Sequence, residues 1–497
     1  MDKIKNYYDG YNKKIFESIT RPPMRCIEIG CANGHLGRAL KLRYPNLYYT
    51  GVDISKCAIL EATKYLDEVI HKDISSIEHE QYLEYFGTKP FDLIILGDVL
   101  EHLPKPDAVL KGLLNISAPS TEMRVCVPNM CHISVIERLL TGDFGYDEMG
   151  ILDNTHMQFY SPSSVAKQLL DTGWLPNLIS TYEGILPNTP HISNIIKAAS
   201  LLGIPREKSI SNFSTVQVIF AAKPYKQKFT LNPAIREGLS VIVPVNREWQ
   251  FQMNALRSPG LREIKAEVIP IYEASSAANA YELGSAQASH PWRLFMHQDV
   301  YIPSGCGYII LEKLAHLDKN LLAPAGFIGL EKENYKQNDS SEVSIKGIIL
   351  DRIYPNSLLE NPPSSRAISL DELGIFLHRD STYKIDHALG WHLWATDLCL
   401  QAWEYNGEPC SAIFSVPLFH NSSNLFKLPN EWHDSADILK KKWPKRLPIK
   451  TLCGIINESQ PVKINTKNHE ANRFNAPLSL IYVRLLRRQM KKLFRLH

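Results

Sequence analysis

Between residues 24 and 130, short apolar runs alternate with segments of helix length. The runs are "MRCIEIG", "YYTGVDI", "FDLIILGDV" and "EMRVCVPN". Runs of this kind, ending in Gly or Asp, suit strands buried on both faces of a parallel sheet covered by helices. "TVQVIFAAKP" closes this stretch near residue 224. A polar segment follows, "YKQKFTLNPAIREG" (225–238), whose Pro and sparse apolar content mark a linker. The alternation then restarts with "LSVIVPV", "AEVIPIY" and "RLFMHQDVYI". The pattern predicts two α/β domains, 1–224 and 239–430, and a C-terminal extension, 431–497.

With 497 residues the chain exceeds what one core holds, consistent with that division. A net charge of +3 is too small to argue for nucleic acid. No run reaches the ~20 apolar residues that a membrane span needs, and "MDKIKNYYDGYNKKIF" lacks the apolar centre of a secretory signal. The nine cysteines are scattered without zinc-site spacing, so they read as reduced thiols of a cytoplasmic protein. In "LIYVRLLRRQMKKLFRLH" the basic residues share one helical stripe. That helix either docks on the body with its basic face in water or lies on an anionic membrane through 481–497.

"CIEIGCANGHLG" (26–37) reads as a strand, a glycine turn and a helix start. Gly30 and Gly34 permit a tight turn and close approach of a ligand to the backbone. The next strand ends in Asp53, about 20 residues on, where a carboxylate can accept ribose hydroxyls. A dinucleotide site would want G-x-G-x-x-G, whereas this turn reads G-C-A-N-G-H-L-G.

With "GVDIS", "HKDIS" and "FDLIILGDVLEHL", this turn resembles the successive motifs of class I S-adenosylmethionine (SAM)-dependent methyltransferases over residues 20–222. The resemblance implies a Rossmann-like fold with SAM held by Glu28, Gly30, Ala32, Gly34, Asp53, Asp73, Ile74 and Asp98. Ala32 stands where that family usually has glycine. Methyl transfer to oxygen or nitrogen needs removal of a proton, and His102, His132 and His156 are candidate bases. Each also has a structural reading, and the spacing does not choose.

In the second half, "RLFMHQDVYIP", "LDELGIFLHR" and "GWHLWATDLCLQAWEYNG" resemble family 2-like glycosyltransferases of GT-A fold carrying an HQDV motif, over residues 238–425. A nucleotide-sugar donor leaves a diphosphate, whose charge a divalent cation (Mn²⁺ or Mg²⁺) neutralises. Asp299 is then the expected metal ligand, with His297 supporting it and His420 as second ligand. The alternative for Asp299 is a turn cap before Pro303.

The resemblance also implies that Asp397 is the base of an inverting transfer, with a first-turn aspartate as its plain structural reading. Asp371 and Glu372 are further acids for the cleft, and Glu273 is a candidate for the nucleoside. Trp391, His392 and Trp394 suit either sugar stacking or core packing.

Together these features predict a bifunctional enzyme that glycosylates and methylates one glycan. A lipid-linked acceptor in surface polysaccharide assembly would place it on the inner face of the membrane. The alternative is a methyltransferase whose second half only binds glycan or nucleotide.

Overall fold

The computed structural model describes residues 10–225, 230, 232, 235, 237–332, 343–351, 364–421, 428–457 and 463–464. The chain falls into two compact units, one running to Lys226 and the other from Gln227 to Asn472. The basic segment 481–497 lies outside the described residues. No helix among them is long and apolar enough to cross a membrane.

The first unit is built on β1 (Arg25–Ile29), β2 (Tyr48–Asp53), β3 (Glu68–His71), β4 (Phe91–Gly97), β5 (Ser117–Pro128), β6 (Trp174–Glu183) and β7 (Thr215–Pro224). They form one sheet in the order β3-β2-β1-β4-β5-β7-β6. Pairings from β3 through β5 are parallel, while β7 runs antiparallel between β5 and β6. The central strands are apolar on both faces, with Ile27, Ile94, Ile95 and Leu96 fully buried. Parallel strands covered by helices demand such runs. Helix His35–Arg43 closes over this sheet on Leu36 and Leu40, which pack with Tyr49 and Leu66.

The second unit is less uniform than its sequence predicts. β8 (Leu239–Val245), β9 (Glu267–Tyr272) and β10 (Trp292–Met296) are parallel neighbours. Beyond β10 the sheet becomes mixed, so the expected second doubly wound parallel sheet is only its first third. "RLFMHQDVYI", read as one strand, breaks after Met296. Gln298 turns inward there and accepts from the backbone of Asn246 and Arg247, each at 3.0 Å, tying the turn to the end of β8.

After that turn β11 (Val300–Tyr301) leaves for a separate small sheet. The main sheet grows through β12 (Ala325–Gly326), β13 (Gly329–Lys332) and β14 (Val343–Lys346). β15 (Ile348–Asp351) joins β11 in the small sheet, and β16 (Ser364–Leu370), β17 (Gly374–His378) and β18 (Ser411–Ile413) complete the large one. β19 (Pro417–His420) lies between β11 and β15. Antiparallel neighbours need no helical crossover, which explains how this region adds strands with few helices.

The boundary expected at 430 also moves. Helix Asn430–Lys442 buries Trp432, Ala436 and Leu439 in the same core as Leu389 and Trp394. Its Ser435 hydroxyl donates to Leu389 O at 2.8 Å. This helix completes the core of the second unit and is not part of an appendage.

The segment following the HQD turn is docked through backbone contact. Gly260 N donates to Ile302 O at 3.1 Å, and Ile302 N donates to the Ser258 hydroxyl at 2.9 Å. A Cβ on Gly307 would sit 1.9 Å from Gly260 O. Because the obstacle is backbone, Gly307→Ala should cost ~1–3 kcal/mol of stability. Denaturant unfolding monitored on the second unit would measure it, and an unchanged midpoint would contradict this packing.

Candidate functional sites

A cavity of about 990 Å³ opens at the carboxyl ends of β1, β2 and β4. This is the edge where open α/β sheets bind ligands. Glu28, Gly30, Ala32, Asp53, Asp73, Ile74, Asp98, His102 and His156 all line it. Gly34 does not line it. It begins helix His35–Arg43 in the left-handed region at φ 75°. Ala32, at φ 46°, takes a conformation that costs a non-glycine residue energy, as does Asp98 at φ 57°.

Each acid has a defined holder. Asp53 accepts from Ala32 N and Ser55 N, both at 2.8 Å, so it braces the glycine turn. Asp73 accepts from the backbone and hydroxyl of Ser75 at 2.9 and 2.7 Å. The Glu28 carboxylate accepts from Tyr49 Oη at 2.8 Å, and burial pushes its carboxyl up to about 8. Burial likewise pushes Asp98 up to about 6, countered by hydrogen bonds from Cys126, Asn12 and Gln217. The Gln217 amide donates to Asp98 at 2.6 Å. With its carboxyl at about 6, Asp98 is ionised at neutral pH and suits a ligand group carrying positive charge.

Asn12, Tyr182 and Gln217 also line the cavity, and none was recognised from sequence. Tyr182 Oη donates to Asn12 Oδ1 at 3.0 Å across 170 positions. Partners that distant leave no local spacing to read. Of the candidate bases, His102 and His156 meet edge to face with ring centroids 4.8 Å apart. His132 instead caps helix Ile133–Thr141, its ring accepting from Ser134 N.

In the second unit His297, Asp299 and His420 come together, their ligand atoms all within 4.8 Å. Strand pairing sets this up. β11 meets β19 with Val300 opposite His420, and Asn421 N donates to Asp299 O at 2.8 Å. Asp299 Oδ1 then lies 3.3 Å from His420 Nε2. Burial would raise the Asp299 carboxyl, but His420 and His297 outweigh it and hold the group below the usual carboxylate range. Two imidazoles and a carboxylate form a donor set fit for a divalent cation.

Asp371 and Glu372 sit beside Leu373, whose carbonyl accepts from His297 N at 3.1 Å. Burial and the Asp371 charge push the Glu372 carboxyl up to about 8. His392 is close enough to His297 for the two rings to interact electrostatically. Glu273 directly follows β9 at the same carboxyl edge of the sheet, exposed and at φ 57°. Trp391 is exposed, whereas Trp394 is buried edge to face against Phe295 at 5.1 Å and is core.

Asp397 is not placed to act as a base. It is fully buried in helix Trp394–Asn406, and its oxygens accept from Trp443 Nε1 at 2.7 Å, Gln401 Nε2 at 2.7 Å and Lys442 Nζ at 2.9 Å. Gln401 lies one turn along the same helix, but Lys442 and Trp443 stand at the end of helix Asn430–Lys442, beyond the expected boundary at 430, so only the tertiary structure reveals the closure.

Residues 6–175 match the family model described as a methyltransferase domain. Among solved structures, the chain is similar to a SAM-dependent methyltransferase from Archaeoglobus fulgidus at 17% identity and TM-score 0.31, covering 44% of this chain and 97% of that one. It is similar to the plantazolicin methyltransferase BpumL in complex with SAH at 17% identity and TM-score 0.29, covering 42% and 80%. A third is a SAM-dependent methyltransferase, possible histamine N-methyltransferase, from Thermotoga maritima, at 12% identity and TM-score 0.29, covering 42% and 86%. No curated protein matches the chain. The first unit therefore has a Rossmann-like methyltransferase fold.

Two outcomes follow from this geometry. Unfolded Glu28 releases its proton near pH ~4.3, while the folded carboxyl holds it to about 8. The folded state binds more protons between those values, so the stability this group contributes is lost as pH rises through that window. Glu28→Gln cannot titrate, and it should gain stability relative to the parent as pH rises across the window. Urea melts at several pH values would measure the trend, and a pH-independent difference would contradict it. Asp397→Ala removes the buried acceptor of Trp443 Nε1 and Gln401 Nε2 and the partner of the more exposed Lys442, and should cost ~1–3 kcal/mol, read by denaturant midpoint. A change below about 1 kcal/mol would be the surface-pair value and would argue against the closure described.

Proposed function

We propose that the chain joins a SAM-dependent methyltransferase to a metal-dependent glycosyltransferase. The observation supporting the first is the cavity at the carboxyl ends of β1, β2 and β4, whose acids Glu28, Asp53, Asp73 and Asp98 lie within the residues that match a methyltransferase domain. Bound there, SAM supplies an electrophilic methyl group on a sulfonium cation. Asp53 would take the ribose hydroxyls, Asp73 with Ile74 the adenine, and Asp98, beside the protonated Glu28, the cationic methionine end. The acceptor's oxygen or nitrogen attacks the methyl carbon as the carbon–sulfur bond breaks, and the acceptor proton leaves to a base or to water.

The observation supporting the second activity is the His297–Asp299–His420 cluster at the carboxyl end of β10. Asp299 and His420 would hold a divalent cation with His297, and the cation would supply charge for a departing nucleoside diphosphate. Glu273 lies at the edge where a nucleoside would sit. With Asp397 sealed, the acids left for the acceptor hydroxyl are Asp371 and Glu372. Glu372, held protonated until about pH 8, is the poorer base of the two at neutral pH. The acceptor is a glycan or lipid-linked glycan in surface polysaccharide assembly. The basic stripe of 481–497 would bring the enzyme to the inner face of the cell membrane.

A thermal-shift panel on the full chain tests both halves. S-adenosylhomocysteine at about 100 times its Kd should stabilise the first unit by ~2.7 kcal/mol, and Asp53→Ala should abolish that shift. UDP, GDP or CDP with Mn²⁺ should shift the second unit, and Asp299→Ala should remove only that response. No metal-dependent nucleotide shift would discard the glycosyltransferase and leave the second unit as a binding module.

A further inference from the structure

The first unit holds a second cluster of metal-ligating type. Glu101, His102 and His156 offer ligand atoms that all lie within 4.8 Å of one another, and the three residues line the methyltransferase cavity. We propose that they bind a divalent first-row transition cation, such as Mn²⁺ or Fe²⁺, which holds the acceptor through its oxygen atoms beside the methyl donor. This inference rests on the methyltransferase reading of the first unit.

The way each side chain is held supports ligation. His156 Nδ1 lies 3.0 Å from Ile151 O, and His102 Nδ1 lies 3.3 Å from Thr155 O. A carbonyl oxygen can only accept, so in both rings Nδ1 carries the proton and the lone pair sits on Nε2. Histidines that bind metal are oriented in this way by a carbonyl or carboxylate behind them. Behind His102 the support continues, because Thr155 Oγ1 lies 3.1 Å from its Nδ1 and donates to Asp153 at 2.6 Å.

The two segments that carry the cluster are also fastened together. Glu101 O accepts from Met157 N at 2.7 Å and from Gln158 N at 3.0 Å. The loop bearing His156 is thereby pinned to the turn Leu100–His102. Glu101 itself is 1% exposed, and buried carboxylates are kept by pairing or by coordination.

Two imidazoles and one carboxylate leave coordination positions for oxygen ligands. The site therefore favours an acceptor with a hydroxyl, or two adjacent oxygens such as a sugar diol. A hydroxyl bound to the cation loses its proton to water. The resulting alkoxide attacks the methyl carbon, and the carbon–sulfur pair returns to sulfur, releasing S-adenosylhomocysteine. This assigns the two histidines to ligation and removes the need for either to act as base.

The test uses the full chain carrying Asp299→Ala and His420→Ala, so that the second unit contributes no metal. Mn²⁺ binding is followed by loss of the free-ion EPR signal, with the S-adenosylhomocysteine thermal shift as control. One Mn²⁺ is expected on this parent, with pulsed-EPR ¹⁴N coupling from imidazole. Glu101→Gln and His156→Ala should each weaken binding at least tenfold while the S-adenosylhomocysteine shift stays. A parent that binds no Mn²⁺, or binds it without ¹⁴N coupling, overturns the proposal, as does unchanged affinity in both variants. If the variants lose their fold, the ¹⁴N coupling of the parent decides alone. Loss of the S-adenosylhomocysteine shift in the parent would instead refute the methyltransferase reading, independently of metal.

Discussion

Parallel pairing of β1 with β2 and β4 is the constraint on which the first unit depends. It aligns the carboxyl ends of three strands, and Glu28, Asp53 and Asp98 arrive at one edge as a consequence. Their loss of water, and the repulsion between Asp53 and Glu28, are offset locally. The Ala32 amide of the glycine turn and the Ser55 amide hold Asp53, the Tyr49 hydroxyl holds Glu28, and Gln217 holds Asp98. The glycine turn is thus braced by the residue proposed to bind the ribose of SAM.

The second unit reaches a comparable result by breaking a strand. Once β10 stops at Met296, the HQD turn projects from the sheet edge and β11 is free to join β19. That pairing supplies His420, more than 100 positions away, to Asp299. Backbone contact at Gly260 and Gly307 secures the segment that follows. Both units therefore place half-buried histidine–carboxylate groups where strand ends and loops meet, although the surrounding folds differ.

Much of this was legible because the determining signal was local. The apolar runs located the first strands of both units, since strands buried on both faces need continuous apolar residues. Acids at strand ends marked the first cavity, and the HQD turn marked the second site. Asp397 and the boundary at 430 misled for one shared reason. The helix that seals Asp397 lies more than 30 positions further along the chain, and nothing near Asp397 announces Trp443 or Lys442.

By itself the sequence determined which residues could be strand, turn and helix, and which acids would stand at strand ends. Those properties depend on neighbours within a few positions. Tertiary structure alone decided that His102 faces His156, that Gln217 and Asn12 bear on Asp98, and that Asp397 is enclosed. Each of these depends on register and packing between segments far apart in the chain. Such contacts form only when separate apolar faces are buried together, and no local pattern encodes them.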